Sequence, residues 1–159
     1  MLSLARASIS AIAIQPVVFG AWFFLPAVLS GATISPQDIW SMCIYVVAFA
    51  TAFVIALGVP VFLTLNYVNR ANWLHLSIVG FGTGAIPYAI YSWPLSAYSS
   101  GFSSGGNWHG SYVDFVKNGV HTIYGWLSYV EGVFWFGVHG LVGALVFLFV
   151  WRAYTRPNF

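Results

Sequence analysis

Charged residues are nearly missing from this sequence, and their scarcity excludes most kinds of protein. Asp, Glu, Lys and Arg together make up 5% of the 159 residues, whereas an ordinary soluble domain carries about 25%. A chain of this composition cannot build a water-facing surface of normal size. Its five Lys and Arg residues are also too few for the basic face that nucleic-acid binding requires. We therefore expect a lipid environment and no nucleic-acid partner.

Cysteine and catalytic motifs are equally scarce. Cys43 is the one cysteine, so intramolecular disulfides, CxxC redox motifs and cysteine zinc sites are excluded. The sequence has no HExxH, no GxSxG, no glycine-rich phosphate loop and no pair of catalytic carboxylates. We therefore predict no catalytic residue, no metal site and a non-enzymatic role. The sequence does not identify a cofactor.

Long apolar runs are what the sequence has instead. Four of them cover residues 8–29, 40–68, 74–98 and 124–150. Each is long enough to cross a hydrocarbon core about 30 Å thick at about 1.5 Å per residue. The predicted fold is an all-α membrane protein with four transmembrane helices in an up-down bundle, forming one domain over residues 1–159. The first run exceeds the roughly 7–15 apolar residues of a signal peptide, so we interpret it as a retained helix.

The basic residues indicate an orientation. Four crossings place Arg6, Arg70, Arg152 and Arg156 on one side of the membrane and Lys117 on the other. Because cytoplasmic loops carry an excess of Lys and Arg, both termini are predicted to be cytoplasmic. We take the bacterial inner membrane as the expected location. The region around residues 99–122 then lies on the outer side.

That outer region contains two patterns. Residues 99–107 are rich in Ser and Gly and predict a flexible polar loop. Residues 112–122 mix apolar positions with Asp114, Lys117 and His121. This mixture predicts either a short interfacial helix or a lead-in to the fourth span, and the pattern fits both.

Proline and glycine predict where the helices bend and touch. Pro16 and Pro26 should bend the first helix, Gly58 with Pro60 the second, and Pro87 with Pro94 should kink or end the third. Small residues allow two membrane helices to approach closely. The third and fourth helices are therefore predicted to pack together through Gly80, Gly84, Gly137, Gly140 and Gly143.

The fourth run carries the main polar signal. Glu131 and His139 are eight residues apart, which places them about two turns apart and about 80° round a helix. The candidate polar face consists of His121, Tyr124, Ser128, Glu131, Trp135 and His139. An ionisable group near mid-membrane normally faces a bundle interior or a water-filled cavity. Such a face fits a proton path, a bound ion or a polar ligand, and it fits equally well ordinary hydrogen bonds between helices.

The histidines lie at different predicted depths. His75 is near the cytoplasmic end of the third run, His139 is near mid-membrane, and His109 and His121 are on the outer side. A haem held by two histidines of this chain is therefore not expected, whereas a haem shared with another subunit stays open. His109, Asp114 and His121 match no standard metal-ligand spacing.

These observations favour a small membrane protein that binds another membrane protein without catalysing a reaction. It would act as an accessory subunit of a membrane complex or as an immunity-type partner, and its 19% aromatic content would supply a bulky lateral surface. The alternative is a transport or electron-transfer subunit that uses Glu131 and His139. Architecture alone does not decide between them.

Overall fold

Four long helical segments dominate the structure, a computed structural model that describes residues 2–29, 31, 33–94 and 99–155. Each is long and apolar enough to cross a membrane. Span one is Leu2–Leu29, span two is Pro36–Tyr67, span three is Trp73–Tyr91 and span four is Ile123–Thr155. The prediction of four helices long and apolar enough to span a membrane is therefore confirmed, whereas the chain is mostly helical rather than all-α, because a small β-sheet precedes span four.

Span one is broken near its middle. Helix α1 (Leu2–Ala13) and helix α2 (Gln15–Leu29) meet at Ile14. Pro16 accounts for the break, because it has no N–H to donate to the carbonyl one turn earlier. Pro26 lies inside α2 without ending it. The break leaves Gln15 at the centre of the span.

Span two is also interrupted. Helix α3 (Pro36–Phe53) leads into a π-helical turn (Val54–Gly58), which is followed by helix α4 (Val59–Tyr67). The N–H of Val59 donates to the carbonyl of Val54, five residues earlier. The turn lies directly before Pro60, where a kink was predicted, and such turns are frequent at functional sites. At the start of α3 the Ser35 hydroxyl accepts from the N–H of Asp38 at 3.1 Å.

Span three is shorter than predicted. It is helix α5 (Trp73–Tyr91), and Pro87 lies inside it. Residues 92–94 are not helical, because the residue before a proline, here Pro94, avoids helical backbone angles. Residues 95–98, which the prediction also included, lie outside the described residues. The Tyr129 hydroxyl of span four donates to the Ala89 carbonyl at 3.1 Å, which satisfies one of the last carbonyls of α5.

Between spans three and four lies a small antiparallel β-sheet, so the helical prediction for residues 112–122 is wrong and the loop predicted over 99–107 ends at residue 103. Strands β1 (Ser104–Trp108), β2 (Ser111–Lys117) and β3 (Val120–His121) pair in the order β1-β2-β3. Residues 112–122 form neither an interfacial helix nor a lead-in to span four. Residues 104–107, predicted as flexible loop, are part of β1.

Two-residue turns explain why this stretch forms strands. His109 and Gly110 join β1 to β2, and Asn118 and Gly119 join β2 to β3; all four have positive φ. That geometry is the turn whose twist matches antiparallel strands, and Asn-Gly is its strongest sequence signal. The helical interpretation of 112–122 overlooked this dipeptide.

Span four, helix α6 (Ile123–Thr155), is the centre of the packing and contacts α5, α1 and β2. Near its C-terminal end, the Arg6 guanidinium lies over the Tyr154 ring at 4.5 Å. Arg152 Nη2 donates to the Ala71 carbonyl at 3.3 Å. The start of span one, the link between spans two and three, and the end of span four therefore meet at one end of the molecule, here called the basic end. Arg156 lies outside the described residues.

Span two buries fewer residues than any of the other three spans. Neither α3 nor the π-turn has a buried residue, and α4 has only Phe62. Phe62 joins a buried apolar cluster near the basic end with Ala7, Ala11, Leu76, Phe147 and Leu148. The opposite end carries the sheet and is here called the sheet end. Towards it, a cavity lies between one side of span two and the other spans, while α3 still contacts α2.

Candidate functional site

The predicted polar face of span four is divided between two separate groups of contacts. One lies at the sheet end around Glu131, and the other lies at mid-span around His139. Eight residues of helix separate them, a rise of about 12 Å. No hydrogen bond among the described residues joins Glu131 to His139.

Glu131 on span four contacts the β-sheet. Its Oε2 accepts from the Trp108 indole N–H at 2.8 Å and lies 3.2 Å from His109 Nε2, which makes an ion pair when His109 is protonated. The Trp108 ring also meets the Tyr124 ring edge to face, with centroids 5.8 Å apart. The carboxylate therefore holds the turn between β1 and β2 against the helix.

The remaining outer residues of the predicted face are His121 and Ser128. His121 lies in β3 opposite Val116 and beside Gly125, and Ser128 is half-buried on span four. Within the described part of the chain, no three His, Cys, Asp or Glu side chains converge on a point that could hold a metal ion. This search covers His109, Asp114 and His121.

His139 pairs with Gln15 of span one. His139 Nδ1 lies 2.7 Å from Gln15 Oε1, and Gln15 is only 6% exposed. His139 is sixteen residues from Ile123 and sixteen from Thr155, while Gln15 is near the middle of Leu2–Leu29. The pair therefore lies at the midpoint of both spans, and His139 contacts span one.

Gln15 fixes which ring nitrogen of His139 carries the hydrogen. Its Nε2 amide donates to the Ala11 carbonyl at 3.0 Å and to the His139 backbone carbonyl at 3.3 Å. Its Oε1 can only accept, so neutral His139 must be protonated on Nδ1. Nε2 is then an acceptor, and no described residue forms a hydrogen bond with it.

Trp135, the aromatic member of the predicted face, packs against span one as well. Its ring stacks on Trp22 with centroids 5.3 Å apart and planes inclined by 21°. Phe19 lies nearer the middle, with its ring 6.4 Å from the His139 ring. Span one and span four thus share an aromatic and polar contact from mid-span towards the sheet end.

The five predicted packing glycines have different neighbours. Gly80, Gly84 and Gly140 bring the backbones of spans three and four together; a Cβ on Gly80 would lie 2.8 Å from the Gly140 carbonyl oxygen, and one on Gly84 would overlap the Phe136 carbonyl. Gly137 faces the Phe81 ring. Gly143 instead faces span one, where a Cβ would lie 2.8 Å from Gln15 Nε2. The absent side chain at Gly143 makes room for the buried amide.

A cavity of about 360 Å³ lies between span two and the other three spans. Span two contributes side chains such as Val46, Phe49 and Phe53, together with its π-turn. The opposite wall includes Gln15, Thr83 and His139. A mostly apolar cavity of this size with a few polar groups on one wall has the character of a small-molecule site.

Two residues of this arrangement were not predicted as site residues. Gln15 is the only amide side chain in the first apolar run. Because a lone buried amide needs a hydrogen-bond partner, the sequence could have identified Gln15 as a site residue. Trp108 gave no such signal, since a tryptophan beside a polar loop normally indicates an interfacial anchor.

Comparisons with protein-family models, with curated proteins and with solved structures find no match to this chain.

Proposed function

We propose that this chain is an integral membrane protein that works by binding another membrane protein through span two, without catalysing a reaction. The observation that supports this proposal is the low burial of span two. Phe62 is the one buried residue of a helical segment that runs from Pro36 to Tyr67. Membrane helices associate through packing rather than hydrophobic exclusion from water. A long span with so few contacts is well suited to pack against a helix of another protein.

The surface we assign to the partner is the side of span two that faces away from the cavity. Trp40, Ile44 and Ile55 fall on one stripe of the helix and are 66, 52 and 64% exposed. None of the three lines the cavity. An accessory subunit of a membrane complex or an immunity-type protein would use such a surface.

We further propose an up-down bundle in the bacterial inner membrane with both termini cytoplasmic. The clustering of Arg6, Ala71 and Arg152 at the basic end supports this arrangement, since cytoplasmic ends are rich in Lys and Arg. A reporter inserted at Gly101, whose surroundings are open, should read periplasmic, and reporters at both termini should read cytoplasmic. A cytoplasmic reading at Gly101 would contradict the orientation.

The alternative, a transport or electron-transfer path along Glu131 and His139, has less support. Each residue is engaged by a different partner, Trp108 with His109 in one case and Gln15 in the other. A path would require a chain of groups between them, and no hydrogen bond among the described residues joins the two.

Site-specific photocrosslinking tests the partner surface. A photoreactive amino acid at Ile44 should give a discrete adduct with a second protein in native membranes. The matched control is Ile78 on span three, which is 64% exposed and outside the cavity, and which should give only lipid adducts. An adduct of twice the chain mass would make the partner a second copy. Lipid adducts at both positions would exclude this role for span two.

A further inference from the structure

The polar hydrogens of the side chains beside His139 already donate to backbone carbonyls. Both amide hydrogens of Gln15 go to backbone carbonyls, and the Thr83 hydroxyl donates to the Gly80 carbonyl at 2.9 Å. His139 and Thr83 both line the cavity, and the hydrogen-bonding capacity they have left is the lone pair of His139 Nε2 and the oxygen of Thr83. Trp22 and Tyr45, which carry further polar hydrogens, line the cavity nearer the sheet end. The middle of the cavity therefore offers acceptors.

The cavity is far larger than one water molecule and too apolar to hold several. One water occupies about 30 Å³ of liquid and needs two to four polar partners, whereas about 360 Å³ is available here, with few polar groups on its walls. In a bilayer the occupant must be largely apolar. Its polar part must donate a hydrogen bond, because the groups at mid-depth accept.

We propose that this cavity binds a membrane-soluble phenol, a flat ring with a hydroxyl and an apolar tail, whose hydroxyl donates to His139 Nε2. A phenol donates more strongly than an aliphatic alcohol because its hydroxyl is more acidic, with a pKa of about 10 in tyrosine. The rings of Phe19 and Phe136 lie 6.4 and 6.5 Å from the His139 ring and offer faces and edges for an aromatic ligand. The tail lies along the apolar side chains of span two.

A ligand would enter the cavity from the bilayer past span two. Its π-turn lines the cavity through Val54, Leu57 and Gly58, and the few contacts of α3 and the π-turn with the other spans leave room for a ligand to pass from the bilayer. This site does not rest on the proposed partner surface, which lies on the other side of span two.

The tautomer and the binding are tested together by nitrogen-15 NMR of histidine-labelled protein in lipid nanodiscs. The His139 signals are assigned by their loss in His139→Leu. Without ligand, Nδ1 should be protonated and Nε2 bare. Adding 4-nonylphenol to the bilayer should shift the Nε2 signal saturably. Its methyl ether, 4-nonylanisole, has the same shape without the donor and should need about a tenfold higher mole fraction, the value of one hydrogen bond.

Two matched variants locate the site. Ala50 lines the cavity, and Ala52 is exposed on the same helix outside it. Ala50→Trp should fill the cavity and raise the half-saturating mole fraction of 4-nonylphenol at least tenfold, whereas Ala52→Trp should leave it unchanged. Neither alanine touches the contact between spans three and four, so both variants should fold.

Several results would overturn the proposal. Equal binding of the phenol and its ether would mean that the cavity holds any acyl chain. Unchanged binding in Ala50→Trp would place the ligand elsewhere, and a wild-type protein protonated on Nε2 would remove the acceptor. A haem absorption band in the purified protein, lost in His139→Leu, would make the occupant an iron porphyrin. If the phenol binds but the photoreactive residue at Ile44 gives no protein adduct, the proposed partner surface is wrong and the ligand site stands.

Discussion

Spans two and three differ in a way that their composition does not suggest. Span two is the most apolar of the four and span three the least. Yet span three buries Leu76, Gly80 and Ala85 within 19 residues, while α3 and the π-turn of span two bury none. Apolar content thus indicates which segments enter a bilayer and says little about how they pack inside it.

The difference follows from the solvent. Lipid tails are as apolar as leucine, so contact between helices depends on close approach and hydrogen bonds. Gly80 and Gly84 let α5 touch the backbone of α6 at Gly140 and Phe136. Span two contains one glycine, Gly58, and it lies in the π-turn. Span two therefore meets span four through the ring of Phe62 against Phe147 rather than through a close backbone approach, and the cavity lies between span two and the other spans.

The largest effect should come from Gly140→Leu. Its side chain would overlap the Gly80 carbonyl, forcing spans three and four apart at a cost of about 3 kcal/mol or more. Ala50→Leu adds similar bulk to span two but meets the cavity, so its stability should change by less than about 0.5 kcal/mol. Thermal unfolding in mild detergent measures both. Equal losses would show that span two is packed as tightly as span three.

A smaller loss of stability should result from breaking the hydrogen bond between Gln15 and His139. Gln15→Leu removes the 2.7 Å hydrogen bond, and His139→Leu removes it from the other side. We expect each to cost about 1–2 kcal/mol, the upper range for hydrogen bonds within a bilayer.

The double variant gives the control for that pair. If the two side chains act together, combining Gln15→Leu with His139→Leu should cost little more than either alone, since no buried polar group is left without a partner. Unfolding free energies from the four proteins form the cycle. Fully additive losses would mean that the pair contributes nothing as a unit.

The smallest effect should come from the sheet end. Trp108→Phe removes the indole N–H that Glu131 accepts and should cost about 1 kcal/mol. Glu131→Gln keeps an oxygen acceptor and loses only the exposed ion pair with His109, so it should cost less than about 0.5 kcal/mol. Hydrogen exchange of the β1 amides reports both, and faster exchange in Glu131→Gln than in Trp108→Phe would reverse the roles we assign.

The sequence predicted the helices better than the region between them. Apolar length located all four of the helices that are long enough to cross a membrane. Hydropathy placed the end of span three at residue 98, whereas α5 ends at Tyr91, just before Pro94, which the sequence had marked as a possible end because the residue before a proline avoids helical backbone angles. The strands around Asn118 and Gly119 were missed because the apolar positions of 112–122 were given more weight than the turn residues.

What the sequence by itself determined is the number of helices long and apolar enough to cross a membrane, since that number depends on runs of apolar side chains along the chain. Which polar groups meet was decided only by the tertiary structure. Glu131 and His139 share one helix, but their partners come from the sheet and from span one. Eight residues of helix separate the two, and the folding of other segments determines what each one contacts.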